Sequence, residues 1–287
     1  MTVLGFGALE IGRDWGLGDG ALRERPGEEV AAEVLHAVLD AGINLIDSAS
    51  AYHRSEERIG RAVAARRKEY VLATKCGEHS REPATFYDFS YAGIRASLTR
   101  SLELLRTDVI DLVQIHFGPD AEKVLDDGET VRAMREAQDA GRVRYLGASC
   151  GAGLARRCIE SGDFQVLQLT YNLLDRGAEP AIALAAERGI GVLLKGPLAG
   201  GWLTPRAEAA AAKRPEMAER LKPYLDLVGG DHSRLPALAL AFCRRNPGVT
   251  SILAGSKSAE HVRRNVETYQ TGVPAAVLEE AVLLARR

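Results

Sequence analysis

The chain has 287 residues, of which 46% are hydrophobic and 26% are charged, as is usual for a globular protein in water. Its formal net charge of −2 gives no electrostatic reason to expect nucleic acid or an anionic membrane as a partner. No apolar run approaches the ~20 residues that cross a bilayer, and residues 1–12 lack the basic and apolar parts of a secretory signal. We therefore expect a cytoplasmic protein.

The chain begins with an apolar run over residues 3–7 that predicts a first strand. Glycines at 5, 7 and 12 follow one another here, but the dinucleotide-binding fingerprint needs the spacing G-x-G-x-x-G with a helix starting inside it. That spacing is absent, so we reject a Rossmann-type site. The first clear helix comes after Pro26, where Val30, Val34 and Val38 recur every four residues.

Strands and helices then alternate along the chain. The remaining predicted strands cover residues 43–46, 70–74, 109–115, 143–148, 166–170, 191–194 and 251–254. The predicted helices cover residues 55–66, 92–105, 129–140, 154–160, 180–187, 236–245, 259–268 and 274–287. Ser55 is well placed to cap the first of these helices. We expect a loop of irregular structure between Cys76 and Tyr91 and short surface helices in an insertion over about 200–233.

Most of the predicted strands are continuous apolar runs, which is typical of parallel strands buried on both faces. Eight strand-then-helix units in one chain of this length predict a single-domain (β/α)8 TIM barrel over residues 1–287, with a C-terminal helix over about 274–287. A doubly wound open sheet is the competing fold, but it usually has a phosphate-binding glycine turn after its first strand. That turn is missing.

Polar side chains stand at the carboxyl ends of the predicted strands, which in a barrel meet at one mouth. They are Asp47 with Tyr52, Lys75, His116, Ser149, Gln168 or Asn172, Lys195, and Ser256 with Lys257. A lysine beside a tyrosine stabilises the phenolate, so we expect Lys75 to lower the pKa of Tyr52 and make it a better proton donor. Asp47 can hold Lys75, and His116 can orient a substrate oxygen or relay the proton. Such a group protonates a carbonyl oxygen, and the hydride must come from a cofactor.

The chain resembles the aldo-keto reductase family. The motifs that match are, in family order, DSASAYHRSEERIG (47–60), ATK (73–75), QIH (114–116), GAS (147–149), YNLLDR (171–176), PLAGG (197–201) and AGSKS (254–258). The resemblance implies the barrel, a nicotinamide cofactor, and a catalytic group of Asp47, Tyr52, Lys75 and His116. It implies that Tyr52 is the general acid in reduction of an aldehyde or ketone, or in oxidation of the matching alcohol.

The resemblance also implies the cofactor contacts. Ser149 and Gln168 would hold the nicotinamide carboxamide, and the segment with Gly255, Ser256 and Lys257 would meet the adenosine 2′-phosphate. Other expected contacts are Lys195, Gly196 and Arg263, with Arg264 as the alternative to Arg263. A helix N-terminus after Ser258 supports an anion site independently. We therefore predict NADPH, with NADH possible, and a small-molecule carbonyl or alcohol substrate; the sequence does not indicate an oligomeric state.

The chain departs from the family pattern at four places, which bear on nicotinamide binding and on the choice of substrate. Cys150 stands where an asparagine is common, and Lys195-Gly196 stand where an aromatic residue usually stacks on the nicotinamide. His53 stands where a glycine often follows the tyrosine, and we expect the N-terminal hairpin that closes the barrel bottom to be absent. We expect His53 to lie close enough to the site to contact the substrate. Aromatic residues on predicted loops are expected to contribute to an apolar pocket; they are Trp15, Phe86, Phe89, Tyr91, Phe117 and Trp202.

Two alternatives to a carbonyl reductase remain open. One is a nicotinamide-binding regulatory or redox-sensing subunit with little turnover, for which Cys150 would suit a sensor. The other is a hydrolase or aldolase that uses Lys75 as a Schiff-base amine, although Asp47 beside it argues against the depressed pKa that such an amine needs. The four cysteines, at 76, 150, 158 and 243, have no spacing typical of zinc, and we expect no metal site.

Overall fold

A closed barrel of parallel strands forms the centre of the protein, in a computed structural model that describes residues 1–15 and 23–285. The strands of this described part are β1 (Leu4–Gly7), β2 (Leu45–Asp47), β3 (Val71–Cys76), β4 (Glu78–Arg81), β5 (Ala84–Tyr87), β6 (Ile110–His116), β7 (Val143–Ser149), β8 (Val166–Thr170), β9 (Gly191–Lys195) and β10 (Ser251–Gly255). All but β4 and β5 belong to the barrel, in the order β1-β10-β9-β8-β7-β6-β3-β2. Each barrel strand thus pairs with its neighbours in sequence, and the (β/α)8 prediction is confirmed.

Helices surround the barrel. In the described residues they are α1 (Leu9–Gly12), α2 (Glu28–Asp40), α3 (Ser55–Val63), α4 (Tyr91–Leu105), α5 (Ala121–Asp127), α6 (Glu129–Asp139), α7 (Ala152–Ser161), α8 (Glu179–Glu187), α9 (Arg206–Ala211), α10 (Pro215–Leu227), α11 (Leu235–Arg245), α12 (Ala259–Thr271) and α13 (Ala275–Leu284). Short 3-10 turns lie at 64–69, 199–201 and 232–234. Helices α9 and α10 occupy the predicted insertion. The last two residues of the predicted C-terminal helix, 286 and 287, lie outside the described residues.

The main core lies between the barrel and the helices, and a smaller apolar layer fills the barrel itself. That inner layer consists of Leu45, Ala73, Leu112, Leu193 and Leu253. Glycine leaves room for it at one position: a Cβ added to Gly5 would lie 2.9 Å from the side chains of both Leu45 and Leu253. The barrel is therefore a packed core and not an open pore.

The structure corrects two local predictions. The segment after β3 is not irregular, because β4 and β5 form an antiparallel hairpin in which Glu78 pairs with Tyr87 and His79 with Phe86. Thr85, Phe86 and Tyr87 in β5 are residue types that favour strands. Ser55 is also not a helix cap. It is the first residue of α3, and its hydroxyl donates to the Ala8 carbonyl at 2.9 Å.

No helix in residues 1–15 and 23–285 combines the length and the hydrophobicity needed to span a bilayer.

Gly60 lets α3 approach α4 closely, because a Cβ at this position would lie 2.0 Å from the Leu104 carbonyl oxygen. We expect Gly60→Ala to lower the free energy of unfolding by about 1–3 kcal/mol, the usual cost of overpacking. Chemical denaturation followed by circular dichroism measures this change. Gly153→Ala is the matched control, because Gly153 lies in α7 with open space around its Cα and alanine favours a helix. Equal stabilities of the two variants would contradict the close approach.

Candidate active site

A polar layer lies directly above the apolar layer inside the barrel. Two residues beyond Leu45, Ala73, Leu112 and Leu193 the chain has Asp47, Lys75, Gln114 and Lys195, and Gln168 follows Val166 in the same way. Side chains of a strand alternate between its two faces, so these polar groups point into the barrel at the carboxyl ends of their strands. The strands therefore bring together residues that are up to 148 positions apart.

Asp47 is the centre of this polar layer. Its Oδ2 accepts a hydrogen bond from Lys75 Nζ at 2.6 Å, and its Oδ1 accepts from the amides of Gln114 at 2.9 Å and Gln168 at 3.0 Å. Lys75 Nζ donates a second hydrogen bond to the Ser48 carbonyl at 2.7 Å. The Lys75 side chain is fully buried. Burial alone would lower the pKa of Lys75, but Asp47 and Tyr52 raise it above its ordinary value, which keeps the amine charged.

Tyr52 lies over this ion pair on the loop after β2. Lys75 Nζ is 5.0 Å from the centroid of the tyrosine ring, and the His116 ring meets it edge-on at 6.1 Å between centroids. The pKa of Tyr52 is raised, chiefly by burial, with Asp47 adding to the rise and Lys75 opposing it. Lys75 thus lowers the pKa of Tyr52 as the sequence predicts, but burial raises this pKa by more. Tyr52 is therefore a protonated phenol at neutral pH, with a cation beside it that favours loss of the proton.

Backbone contacts hold the Tyr52 loop from two sides. On one side, a Cβ at Gly12 would lie 2.2 Å from the Tyr52 carbonyl oxygen, so only glycine fits there. On the other side, the Ser50 hydroxyl donates to the Glu78 carbonyl at 2.6 Å and the Ser80 amide donates to the Ser50 carbonyl at 3.1 Å. The β4–β5 hairpin therefore helps to position the phenol.

His53 adopts a left-handed backbone conformation with φ of 47°, which explains why glycine suits this position. Its Nδ1 lies 2.7 Å from the Ser80 hydroxyl. The side chain is not among those that line the cavity described below. The structure thus shows His53 in contact with the hairpin through Ser80.

Glu78 is a site residue that the sequence did not reveal. Its Oε2 lies 2.9 Å from Nδ1 of His116, and its Oε1 accepts a hydrogen bond from Thr85 at 2.7 Å. Burial would raise the pKa of Glu78, but His116 and Thr85 lower it overall, so the carboxylate is ionised. An ionised carboxylate at Nδ1 favours the tautomer that carries its proton there. No motif marks Glu78, because a single acid after a strand has no distinctive spacing.

The pKa of His116 is lowered despite this carboxylate. Burial has the largest effect, Lys75 and Lys195 add to it, and Glu78 opposes all three. His116 is therefore a neutral imidazole at neutral pH.

An open cavity of about 650 Å³ extends from Tyr52 across the barrel mouth. Seven of the predicted site residues line it: Asp47, Tyr52, Gln168, Lys195, Gly196, Gly255 and Ser256. Of the aromatic residues expected at the mouth, Trp15 lines the cavity and is 43% exposed, whereas Trp202 is buried and the other four lie elsewhere. The cavity volume is within the range of cofactor and ligand sites, about 300–1,000 Å³.

Ser149 lies beneath the cavity in a chain of hydrogen bonds. Lys195 Nζ donates to the Ser149 hydroxyl at 3.0 Å, and that hydroxyl donates to Gln168 Oε1 at 3.3 Å. Gln168 in turn donates to Asp47. The chain links the end of β9 to the centre of the polar layer.

The far end of the cavity lies at α12. Ser258 caps this helix, its hydroxyl accepting from the His261 amide at 3.5 Å, and Ser256, Arg264 and Asn265 line the cavity nearby. Arg264 lines the cavity, whereas Arg263 is exposed and does not line it. Lys257 lies in a small adjoining cleft, and its Nζ donates to the Glu24 carbonyl at 2.7 Å.

A comparison with known proteins identifies the family of the chain. The sequence model of the Aldo/keto reductase family matches residues 3–280. This chain belongs to the aldo/keto reductase family. It is therefore an oxidoreductase of a family that uses nicotinamide cofactors. Membership of this family supports carbonyl reduction or alcohol oxidation as its reaction.

Two curated relatives of this aldo/keto reductase are bacterial. The uncharacterized oxidoreductase YqkF of Bacillus subtilis (strain 168) is 28% identical over 93% of this chain and 87% of its own. The NADH-specific methylglyoxal reductase of Escherichia coli (strain K12) is 28% identical over 88% of this chain and 86% of its own.

Solved structures of aldo-keto reductases share the fold. Glycerol dehydrogenase AKR11B4 from Gluconobacter oxydans has a TM-score of 0.79 at 26% identity, covering 99% of this chain and 91% of that one. The holo form of AKR11C1 from Bacillus halodurans has a TM-score of 0.77 at 27% identity, covering 98% and 91%.

The donor groups of the cavity fit a nicotinamide dinucleotide. Gln168, which is bonded to Asp47, lines the cavity, and its amide would suit the nicotinamide carboxamide, with the Ser149 hydroxyl one hydrogen bond away. Serine hydroxyls, the N-terminus of α12 and Arg264 suit phosphate groups at the other end. In the part of the chain that the structure describes, no group of three or more histidine, cysteine, aspartate or glutamate side chains is arranged to hold a metal ion.

Replacing Glu78 tests its contact with His116. Because the Glu78 carboxylate raises the pKa of His116, we expect Glu78→Gln to lower that pKa further. A nuclear magnetic resonance titration of the imidazole measures the change. Glu82→Gln is the control, since Glu82 pairs with Arg25 in the turn between β4 and β5. An unchanged or raised pKa in Glu78→Gln would show that the carboxylate does not act on His116.

Proposed function

We propose that this aldo/keto reductase is an NADPH-dependent enzyme that reduces a small aldehyde or ketone, or oxidises the matching alcohol. The observation that carries the proposal is the charged, buried Lys75, held by Asp47 and 5.0 Å from the ring of Tyr52, at one end of a cavity with polar groups at both ends. A nicotinamide cofactor bound in that cavity would supply the hydride to the carbonyl carbon.

Tyr52 is the proposed general acid. Its raised pKa keeps the proton on the phenol until negative charge develops on the substrate oxygen, which then takes the proton. Lys75 stabilises the phenolate that is left, and Asp47 keeps Lys75 charged and in place. In the oxidising direction the same phenolate would accept the proton of the alcohol.

His116 orients the substrate in this proposal. A neutral imidazole with its proton on Nδ1, next to Glu78, offers Nε2 to the hydroxyl of an alcohol. This assignment makes His116 a binding group and leaves proton donation to Tyr52.

The proposed substrate is small and polar. Trp15 lines the cavity, is 43% exposed and also lines the adjoining cleft with Lys257, so it provides one apolar surface. The relatives named for methylglyoxal and glycerol are consistent with a short carbonyl or polyol, and these compounds are the first to test.

The preference for NADPH is argued from the α12 end of the cavity. The helix N-terminus, Ser256 and Arg264 line the cavity there, and Lys257 lies in the adjoining cleft, so a 2′-phosphate would meet partners of the right charge. NADH stays possible, since one relative is named NADH-specific.

The regulatory alternative has weaker support. The Cys158 thiol and Lys195 lower the pKa of Cys150, which would favour reaction with an oxidant. However, Cys150 is only 3% exposed, and a sensor thiol must be accessible. A Schiff-base role for Lys75 is disfavoured as well, because Asp47 and Tyr52 raise its pKa.

Tyr52→Phe tests the proton donor. We expect the rate of NADPH-dependent methylglyoxal reduction, or of the best substrate in a panel of small aldehydes and ketones, to fall by about 10²–10⁴-fold, the usual contribution of a general acid. NADPH binding should be retained, as measured by fluorescence titration. Tyr145→Phe, on the exposed side of β7, is the control. Wild-type turnover in Tyr52→Phe would contradict the assignment.

Arg264 and Arg263 form a matched pair for the cofactor preference, since both are exposed on α12 and only Arg264 lines the cavity. We expect Arg264→Met to weaken NADPH binding roughly tenfold, as for loss of a charged hydrogen bond, with little effect on NADH. Arg263→Met should bind both as the wild type does. Titrations followed by protein fluorescence measure all four dissociation constants. A greater loss in Arg263→Met would reverse the assignment.

A further inference from the structure

Lys195 is a charged residue in the wall of the cavity. It ends β9 and lines the cavity together with Gln168 and Tyr52.

The position of the Lys195 ammonium is determined by its hydrogen bond to Ser149 at 3.0 Å. Ser149 is bonded to Gln168, and Gln168 to Asp47, so the ammonium is connected to the proposed catalytic group through two side chains. Rotation of Lys195 toward solvent would break this chain.

No carboxylate among the described residues forms an ion pair with Lys195; the ion pair of Asp47 is with Lys75. Burial and Lys75 lower the pKa of Lys195, and Cys150 and Asp47 raise it by less. A positive charge at this position is thus incompletely balanced, and it acts on any group that enters the cavity nearby.

The ring of a bound nicotinamide must lie near this ammonium. The hydride has to reach the carbon whose oxygen Tyr52 protonates, so the ring belongs at the Tyr52 end of the cavity. Tyr52, Gln168 and Lys195 line one cavity, and the hydrogen bonds of Ser149 and Gln168 join Lys195 to Asp47. A nicotinamide ring placed for hydride transfer beside Tyr52 therefore lies close to Lys195.

We propose that Lys195 selects the redox state of the cofactor: its ammonium disfavours the cationic ring of NADP+ and leaves the neutral ring of NADPH unaffected. The inference rests on the proposed function, because it requires the nicotinamide to occupy this cavity. It follows from Coulomb repulsion between like charges in a site partly shielded from water. The bound couple is thereby poised toward NADPH, and the protein holds reduced cofactor ready for a carbonyl substrate.

The test is the ratio of the dissociation constants of NADP+ and NADPH, measured by isothermal titration calorimetry at neutral pH without substrate. In Lys195→Gln, which keeps a hydrogen-bond donor and removes the charge, we expect this ratio to fall roughly tenfold. In Lys195→Arg, which keeps the charge, the ratio should stay close to the wild-type value. A tenfold change in the ratio corresponds to about 30 mV in the midpoint potential of the bound two-electron couple.

Lys257→Gln is the matched control, because it removes a lysine charge from beside the far end of the cavity. That substitution acts on a part of the cofactor that is the same in both redox states, so the ratio should not change.

The outcomes separate the two proposals. If the wild type binds both forms and Lys195→Gln leaves the ratio unchanged, the inference is overturned and the proposed function stands. If the ratio falls equally in Lys195→Arg, the effect comes from the shape of the side chain and not from its charge, and the inference is also overturned. If the wild type binds neither form, the proposed function itself fails.

Discussion

The buried ion pair between Lys75 and Asp47 is the interaction on which the site depends. Removing two charges from water costs several kcal/mol per ion, and a buried pair is tolerated only when hydrogen bonds satisfy the remaining polar atoms. Here the Ser48 carbonyl accepts a hydrogen bond from Lys75, and the side-chain amides of Gln114 and Gln168 donate to the second oxygen of Asp47. Four barrel strands, β2, β3, β6 and β8, are thereby joined through one carboxylate.

The hairpin of β4 and β5 forms a second support around this pair. It supplies Glu78 to His116 and, through Ser80, contacts both Ser50 and His53 on either side of Tyr52. Gly12 closes the opposite side of the same loop by close packing against the Tyr52 carbonyl. The phenol is therefore positioned by elements from both its flanks, which suits a proton donor that must meet a substrate oxygen in a narrow range of geometry.

Charge is distributed unevenly along the cavity. At the Tyr52 end, Lys75 is neutralised by Asp47, whereas Lys195 has only neutral hydrogen-bond partners among the described residues. At the α12 end, the cavity is lined by Arg264, which pairs with Glu260, and lies beside the N-terminus of the helix. The same kind of residue therefore serves two purposes: a lysine with an acid partner sustains proton transfer, and a lysine without one acts on the charge of whatever lies beside it.

The sequence by itself determined the barrel and most of the residues that gather at its mouth. Continuous apolar runs followed by helices identify parallel strands, and the polar residues at the ends of these runs, such as Asp47, Lys75 and Lys195, mark the mouth of the barrel. These are local signals, since each depends on a few neighbouring residues. The four proposed catalytic residues were found in the same way, from strand ends and motifs, and their roles stay predictions.

The tertiary structure decided the contacts between distant segments. Glu78 reaches His116 only because an unexpected hairpin folds back over the mouth, and no spacing in the chain indicates that. Whether Arg263 or Arg264 faces the cavity depends on the rotation of α12 about its axis, since adjacent helical residues point about 100° apart. The balance between burial and Lys75 at Tyr52, and the lack of an ion-pair partner for Lys195 among the described residues, depend on all surrounding side chains together. Electrostatic and packing effects of this kind act through space, and the order of residues alone does not specify them.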